Sequence, residues 1–120
     1  MRKKRIGSHG VLTDAALDLV ATRFRALGDA SRLRLLNLLM QGESSVQALV
    51  DASGLSQTNV SRHLGLLRRE GVVARTREGN RAVYRISDPS VVELCQVVCG
   101  GLSEQLAGDL GAFQQEERGR

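Results

Sequence analysis

Apolar positions along the chain recur at helical spacing in five stretches and fall into β-rich runs in two. The first helix is expected from Asp14 to Leu27, with Leu17, Val20, Phe24 and Leu27 on one face and Gly28 as its stop. The second follows Asp29, a good N-cap, and covers Ala30 to about Gln41. Its leucines (Leu33, Leu35, Leu36, Leu38, Leu39) are so dense that the helix must be nearly surrounded, with Gly42 ending it. A short third helix is expected over Ser45 to Ala52, where Ser44 and Gln47 have capping-box spacing and Val46, Leu49 and Val50 point inward.

The stretch ASGLSQTNV then breaks the pattern. Gly54 can supply a positive-φ turn, Leu55 can plug the corner, and Ser56 can cap a fourth helix running to about Glu70. Val60, Leu64 and Leu67 form the buried stripe of that helix. Two helices joined by a tight glycine-containing turn make a helix-turn-helix. Val72–Arg77 and Arg81–Ile86 are β-rich segments joined by Glu78-Gly79-Asn80, which reads as a hairpin. Asp88-Pro89 opens a last helix, whose stripe is Val91, Leu94/Cys95, Val98, Leu102, Leu106 and Leu110. The fold expected is mostly α with a small β-hairpin, five helices plus a protruding wing.

Length and composition narrow this picture. The 120 residues suit one domain over 13–113, preceded by a basic arm over 1–12 and followed by a polar tail over 114–120. With Phe24, Phe113 and Tyr84 as its three aromatics, the chain must build its core from Leu and Val. No apolar run approaches the ~18–20 residues of a bilayer span, so a membrane partner is not expected. The start MRKKRIGSHG is charged but has no apolar stretch behind it, unlike a signal peptide. Two cysteines without an export signal point to a reducing, cytoplasmic setting.

Charge changes the picture more. The formal net charge is +4, but residues 56–86 hold seven arginines (62, 68, 69, 75, 77, 81, 85) against two glutamates (70, 78). Clustering of this kind is the footprint of a polyanion binder. With Val60, Leu64 and Leu67 inward, the first two turns of the fourth helix leave Gln57, Thr58, Ser61, Arg62 and His63 for the outer face, beside the cap Ser56. These side chains have the size and hydrogen-bonding capacity to reach base edges and phosphates from the major groove. A helix N-terminus also favours phosphate. Arg68 and Arg69 suit the DNA backbone, and Arg75, Arg77, Asn80 and Arg81 near the hairpin tip can reach backbone or minor groove. An ordinary solvated helix would instead carry Glu/Lys pairs at i, i+4 spacing, and this face has none.

Three segments, LGDASRLRLLNLL, LSQTNVSRHLGLLRREGVV and REGNRAVYRI, together resemble the ArsR/SmtB family of winged-helix repressors over roughly residues 15–105. The resemblance implies a homodimer joined through the first and last helices, bound to a palindromic operator and released when a metal or reactive sulfur species binds. A dimer suits the last helix, whose stripe is longer than a small domain covers alone. Two recognition helices about one two-fold would read half-sites about one helical turn apart, roughly 10 bp or a multiple.

The family's familiar sensor patterns are not matched. Where arsenic-responsive members carry Cys-Val-Cys in the third helix, this chain has Ser45 and Gln47. Where zinc-responsive members carry carboxylates and histidines on the last helix, it retains Asp88 and Glu104, but Ser90 and Gly101 replace the histidines. The second-helix cysteine of persulfide-sensing members is also absent. What remains is Cys95 and Cys99, spaced i, i+4 on one helix face. Such thiolates can hold a soft metal or metalloid ion, with further ligands needed for most ions, or undergo thiol redox chemistry. The same pair also fits the apolar stripe as inert packing. No Gly-rich phosphate loop, Gly-x-Ser-x-Gly or carboxylate pair near a histidine suggests an enzyme. A winged-helix module for protein–protein contact is the other alternative, disfavoured because such an interface would want exposed aromatic or aliphatic anchors rather than arginines.

Overall fold

Five side-chain oxygens set the starts of the five helices in the computed structural model, which describes residues 11–107. Thr13 accepts from the backbone N–H of Ala16 and opens α1 (Asp14–Leu27). Asp29 accepts from Arg32 N–H and opens α2 (Ala30–Leu39). Ser45 and Ser56 do the same for α3 (Val46–Ser53) and α4 (Gln57–Arg69). Asp88 accepts from Ser90 N–H ahead of α5 (Pro89–Gln105), with Pro89 in the first turn, where its missing N–H costs nothing.

Strands β1 (Ser44–Ser45), β2 (Val73–Glu78) and β3 (Arg81–Ile86) form an antiparallel sheet in the order β1-β3-β2. The hairpin register pairs Glu78 with Arg81 and Val73 with Ile86 across a two-residue Gly79-Asn80 turn. Two compact units divide between Ser87 and Asp88. The first holds α1–α4 and the sheet, and its core is aliphatic: Leu35, Leu36, Leu49, Val60, Leu64, Leu67 and Val72 have no exposed surface. The second is α5, in which Val91 is buried, while Val97, Val98, Leu102 and Leu106 are exposed. No helix among the described residues is long and apolar enough to cross a membrane.

Several expectations change. Ser45, not Ser44, caps α3, because Ser44 and Ser45 are taken into the sheet opposite Tyr84 and Val83. Gln47 donates to Asp51 rather than completing a capping box. Helix α2 ends at Leu39, two residues early, and Leu33 is 40% exposed, so the helix is less enclosed than its leucines suggest. On α1, Leu27 is buried but Leu17 and Phe24 are about half exposed, so the chain does not cover the whole of that expected face. The basic arm through Gly10, the tail over 114–120, and Leu110 lie outside the described residues.

The corner before α4 depends on Gly54, which ends α3 at φ 77, in the left-handed region, with its N–H donated to Val50 O. An added Cβ would meet nothing within 4 Å, so the cost of substitution is backbone strain alone. Gly54→Ala is expected to lower unfolding free energy by about 1 kcal/mol, and Gly54→Asn by less, in urea titrations.

Candidate nucleic-acid interface

Helix α4 is divided lengthwise. Val60, Leu64 and Leu67 have zero exposure, while Ser56, Gln57, Thr58, Ser61, Arg62, Arg68 and Arg69 are all exposed. Spacing of i, i+4, i+7 puts the buried three on one stripe, so α4 packs inward along that line and keeps its polar groups in water. The outer face is a partly ordered array. Ser56 Oγ is already engaged by Asn59 N–H, 3.1 Å away. Arg62 Nη2 donates to Asn59 Oδ1 at 3.0 Å, so Asn59 steadies the guanidinium one turn ahead of it. Asn59 had no assigned part in the sequence reading; its i, i+3 spacing from Arg62 was the available signal.

His63 is the correction on this helix. Expected on the outer face, it is 5% exposed, with Nδ1 at 3.3 Å from Arg32 Nη1. Position 63 lies three residues after Val60 and one before Leu64, at the margin of the buried stripe, where packing rather than periodicity decides the side. Burial pushes the imidazole below its ordinary pKa. Arg62 pushes the same way, Asp29 opposes and Arg32 adds a further lowering. The folded state thus favours the neutral ring. Its stabilising contribution is complete above about pH 6.5, the ordinary imidazole value, and is lost as pH falls through the lowered folded value.

The hairpin divides the remaining candidates. Side chains alternate along a strand, and residues paired across it share a face. Arg75 and Arg77 therefore lie on the face of their partners Tyr84 and Ala82. Arg81 lies on the opposite face with Glu78, its cross-strand partner of opposite charge. All of these arginines and Asn80 are exposed, but they do not form one array. Arg68 and Arg69 occupy the last turn of α4, where cations also complement the helix dipole. The Arg69 guanidinium folds back to within 3.6 Å of where a Cβ on Gly65 would stand.

Cys95 and Cys99 are free thiols on α5, the first partly buried and the second exposed. Burial, then the neighbouring Cys99, raises the Cys95 pKa. Among the described residues no group of three or more His, Cys, Asp or Glu is placed to hold a metal ion. Asp88, a carboxylate of the zinc pattern, spends Oδ1 on the Ser90 N–H and hydroxyl as the helix cap. The donor set of the described residues does not fit a closed four-ligand zinc site.

A short helix, a glycine corner, a second helix with a polar outer face and an adjoining arginine-bearing hairpin define a winged helix-turn-helix domain. Residues 29–75 match the family model described as bacterial regulatory protein, arsR family. The chain belongs to that family of DNA-binding transcriptional regulators. It is similar to the HTH-type transcriptional regulator Rv0081 of Mycobacterium tuberculosis, 36% identical over 84% of this chain and 90% of that one. The crystal structure of Rv0081 superposes with a TM-score of 0.73 at 37% identity, covering 81% of this chain and 98% of that one. The solution structure of the homodimeric winged helix-turn-helix domain of Mb0332 from Mycobacterium bovis gives a TM-score of 0.72 at 38% identity, over 81% and 93% of the two chains. A probable mercury resistance operon repressor of Streptomyces lividans is 40% identical over 64% of this chain and 62% of its own.

Because Ser56 is spent on the helix cap, its main contribution is to α4 itself. Ser56→Ala is expected to cost about 1 kcal/mol of stability, while Ser56→Asp, which can also accept from Asn59 N–H, holds near wild type in thermal unfolding.

Proposed function

We propose that the chain is a homodimeric, operator-binding transcriptional repressor of the cytoplasm, reading DNA through the outer face of α4. The observation that carries the reading is the exposure of Gln57, Thr58, Ser61 and Arg62 on a helix whose opposite stripe, Val60, Leu64 and Leu67, is wholly buried. Those four would meet base edges and nearby phosphates, with Ser56 at the helix start. Arg68, Arg69 and the wing residues Arg75, Arg77, Asn80 and Arg81 would follow the backbone or minor groove. The two faces of the wing imply that Arg75 and Arg77 work together and Arg81 separately.

Dimerisation is supported by apolar surface that water would otherwise cover. Leu17, Leu19 and Phe24 on α1, and Val97, Val98, Leu102 and Leu106 on α5, are each at least 41% exposed. Mb0332 is homodimeric, and its domain has this fold. A two-fold pair of α4 helices would then read an inverted repeat.

Release of the operator, in this reading, follows attack on Cys95 and Cys99 by a thiol-directed agent: an oxidant, or a soft ion satisfied by two thiolates. The Streptomyces relative is named a probable mercury resistance operon repressor, and two thiols one turn apart can hold a soft ion. Cys99 would react first, because it is exposed and the Cys95 thiol is held protonated by burial.

Fluorescence anisotropy on duplex DNA from upstream of the protein's own gene tests the DNA reading. Arg62→Ala is expected to weaken binding about tenfold with an unchanged unfolding midpoint. Arg68→Ala is expected to weaken binding to all duplexes alike and to lower the salt slope by about one. Equal binding of specific and scrambled duplexes by the wild type would sink the repressor reading. For the sensor, reduced protein on the same duplex is titrated with Hg(II), As(III), Cd(II), Zn(II) and a polysulfide. One of these agents is expected to release the wild type and to leave the Cys95→Ser/Cys99→Ser protein bound. Release of both proteins alike, or of neither, assigns the cysteines to packing.

A further inference from the structure

Arg32 sits at a junction that neither the outer face of α4 nor the thiols explain. Its Nε donates to Ala26 O at 2.7 Å and its Nη2 to Arg25 O at 3.2 Å, so it holds the last carbonyls of α1. Its own N–H is held by Asp29, whose other carboxylate oxygen lies 4.0 Å from Nη1. The remaining direction of the fork points Nη1 at His63 Nδ1, 3.3 Å away in the middle of α4. One planar side chain thus spans from the end of α1 to the helix that carries the candidate base-reading residues. A second tie lies at the far end of α4, where Arg23 of α1 donates to Glu70 O at 2.8 Å.

The chemistry of the Arg32–His63 contact has one solution. A guanidinium is always charged and has donors only, so Nδ1 must be the unprotonated ring nitrogen and the proton must be on Nε2. A protonated ring would turn a donor towards a donor in a nearly water-free position. We infer that Arg32 and neutral His63 are positioning residues for DNA binding, which lock the rotation and depth of α4 relative to the end of α1. This inference rests on the α4 reading proposed above. It also gives α1, one of the proposed dimerisation helices, a direct hold on the presentation of Arg62, the residue next to His63.

The direction of the pH effect separates this from ordinary electrostatics. The charges acting on His63 are Arg62 on its own helix and Asp29 and Arg32 at the start of α2. Neither α3 nor β2, which also pack on α4, contributes a charge to that set. Acidification normally tightens a protein on DNA, because each new positive charge favours the polyanion. His9, in the basic arm, would act in that direction. Protonation of His63 acts the opposite way if the Arg32 contact sets the helix.

The test uses the full chain with His63→Gln, whose amide oxygen can accept from Arg32, His63→Leu, which cannot, and Arg32→Lys, which cannot span the same acceptors. Anisotropy on the upstream duplex and on a scrambled one is read between about pH 8 and pH 5, with circular dichroism checking the fold. His63→Gln is expected to stay within about threefold of wild type, while folded His63→Leu and Arg32→Lys lose about tenfold or more on the upstream duplex. On acidification the wild type is expected to lose affinity relative to His63→Gln, in which the His9 contribution remains. Nitrogen NMR of the free wild type supplies a readout independent of DNA; with two histidines in the chain, His63 is assigned by its absence in the Gln variant. A bare Nδ1 and protonated Nε2 are expected. An Nδ1–H tautomer, wild-type affinity in folded His63→Leu, or tightening of the wild type parallel to His63→Gln would each overturn the inference. A wild type that cannot tell the two duplexes apart would remove the repressor reading instead, and the tautomer would still decide whether the Arg32 contact exists.

Discussion

Helix α4 must be anchored and available at once, and three side chains resolve that conflict. Val60, Leu64 and Leu67 are wholly buried, and α2, α3 and β2 all pack against the helix. Interiors are close-packed, so a stripe held on three sides leaves little freedom for the helix to roll or slide. Everything that makes the outer face useful follows from that. Thr58, Ser61 and Arg62 are presented in a fixed direction because the residues between and opposite them cannot leave the core. A helix held by surface charge pairs, at a few tenths of a kcal/mol each, would not fix a direction in this way.

What was legible in the sequence was local. Asp29, Ser56 and Asp88 were readable as caps because a cap is a relation between residues two or three apart, and the two strands of the hairpin pair about a glycine turn as their composition suggests. Three things were not legible, each for a distinct reason. Strand β1 is two residues long, too short for any periodicity, and exists only because β3 passes beside it. Helix α1 has a clear apolar pattern, but a pattern cannot say whether the covering surface belongs to the same chain, and Phe24 at 54% exposure shows that the described chain leaves it open. His63 sits on the edge of its stripe, and its partner Arg32 is 31 residues earlier, a separation at which sequence spacing carries no information.

The arginines show the same limit from another side. A count of seven between 56 and 86 was enough to suggest a polyanion, yet the count treats them as equivalent. The fold does not. Arg62 is braced by Asn59, Arg69 lies back along its own helix, and the pleat sends Arg75 and Arg77 to one face of the wing and Arg81 to the other. Long-range attraction depends on the sum of these charges, whereas any preference among DNA sequences depends on where each one points. Two arginines outside the cluster, Arg23 and Arg32, each donate to backbone carbonyls, at the ends of α4 and α1 respectively. They tie α1 to its neighbours without belonging to the exposed face of α4.

If the thiols of α5 receive a signal, as proposed, the covalent route from there to α4 is narrow. Ser87, the residue before the α5 cap Asp88, donates its N–H to Val72 O and its hydroxyl to Gly71 O. Gly71 and Val72 follow directly on Glu70, the C-cap of α4, whose carbonyl is also the acceptor for Arg23. The first residue of the α5 cap is therefore one peptide bond away from a side chain pinned to the turn that ends α4. Any movement of α5 that travels along the chain passes through Ser87 before it reaches the rest of the wing. The two hydrogen bonds of Ser87 at the C-terminal end of α4 and the Arg32–His63 contact at its middle would thus bear on the same rigid rod from separate points.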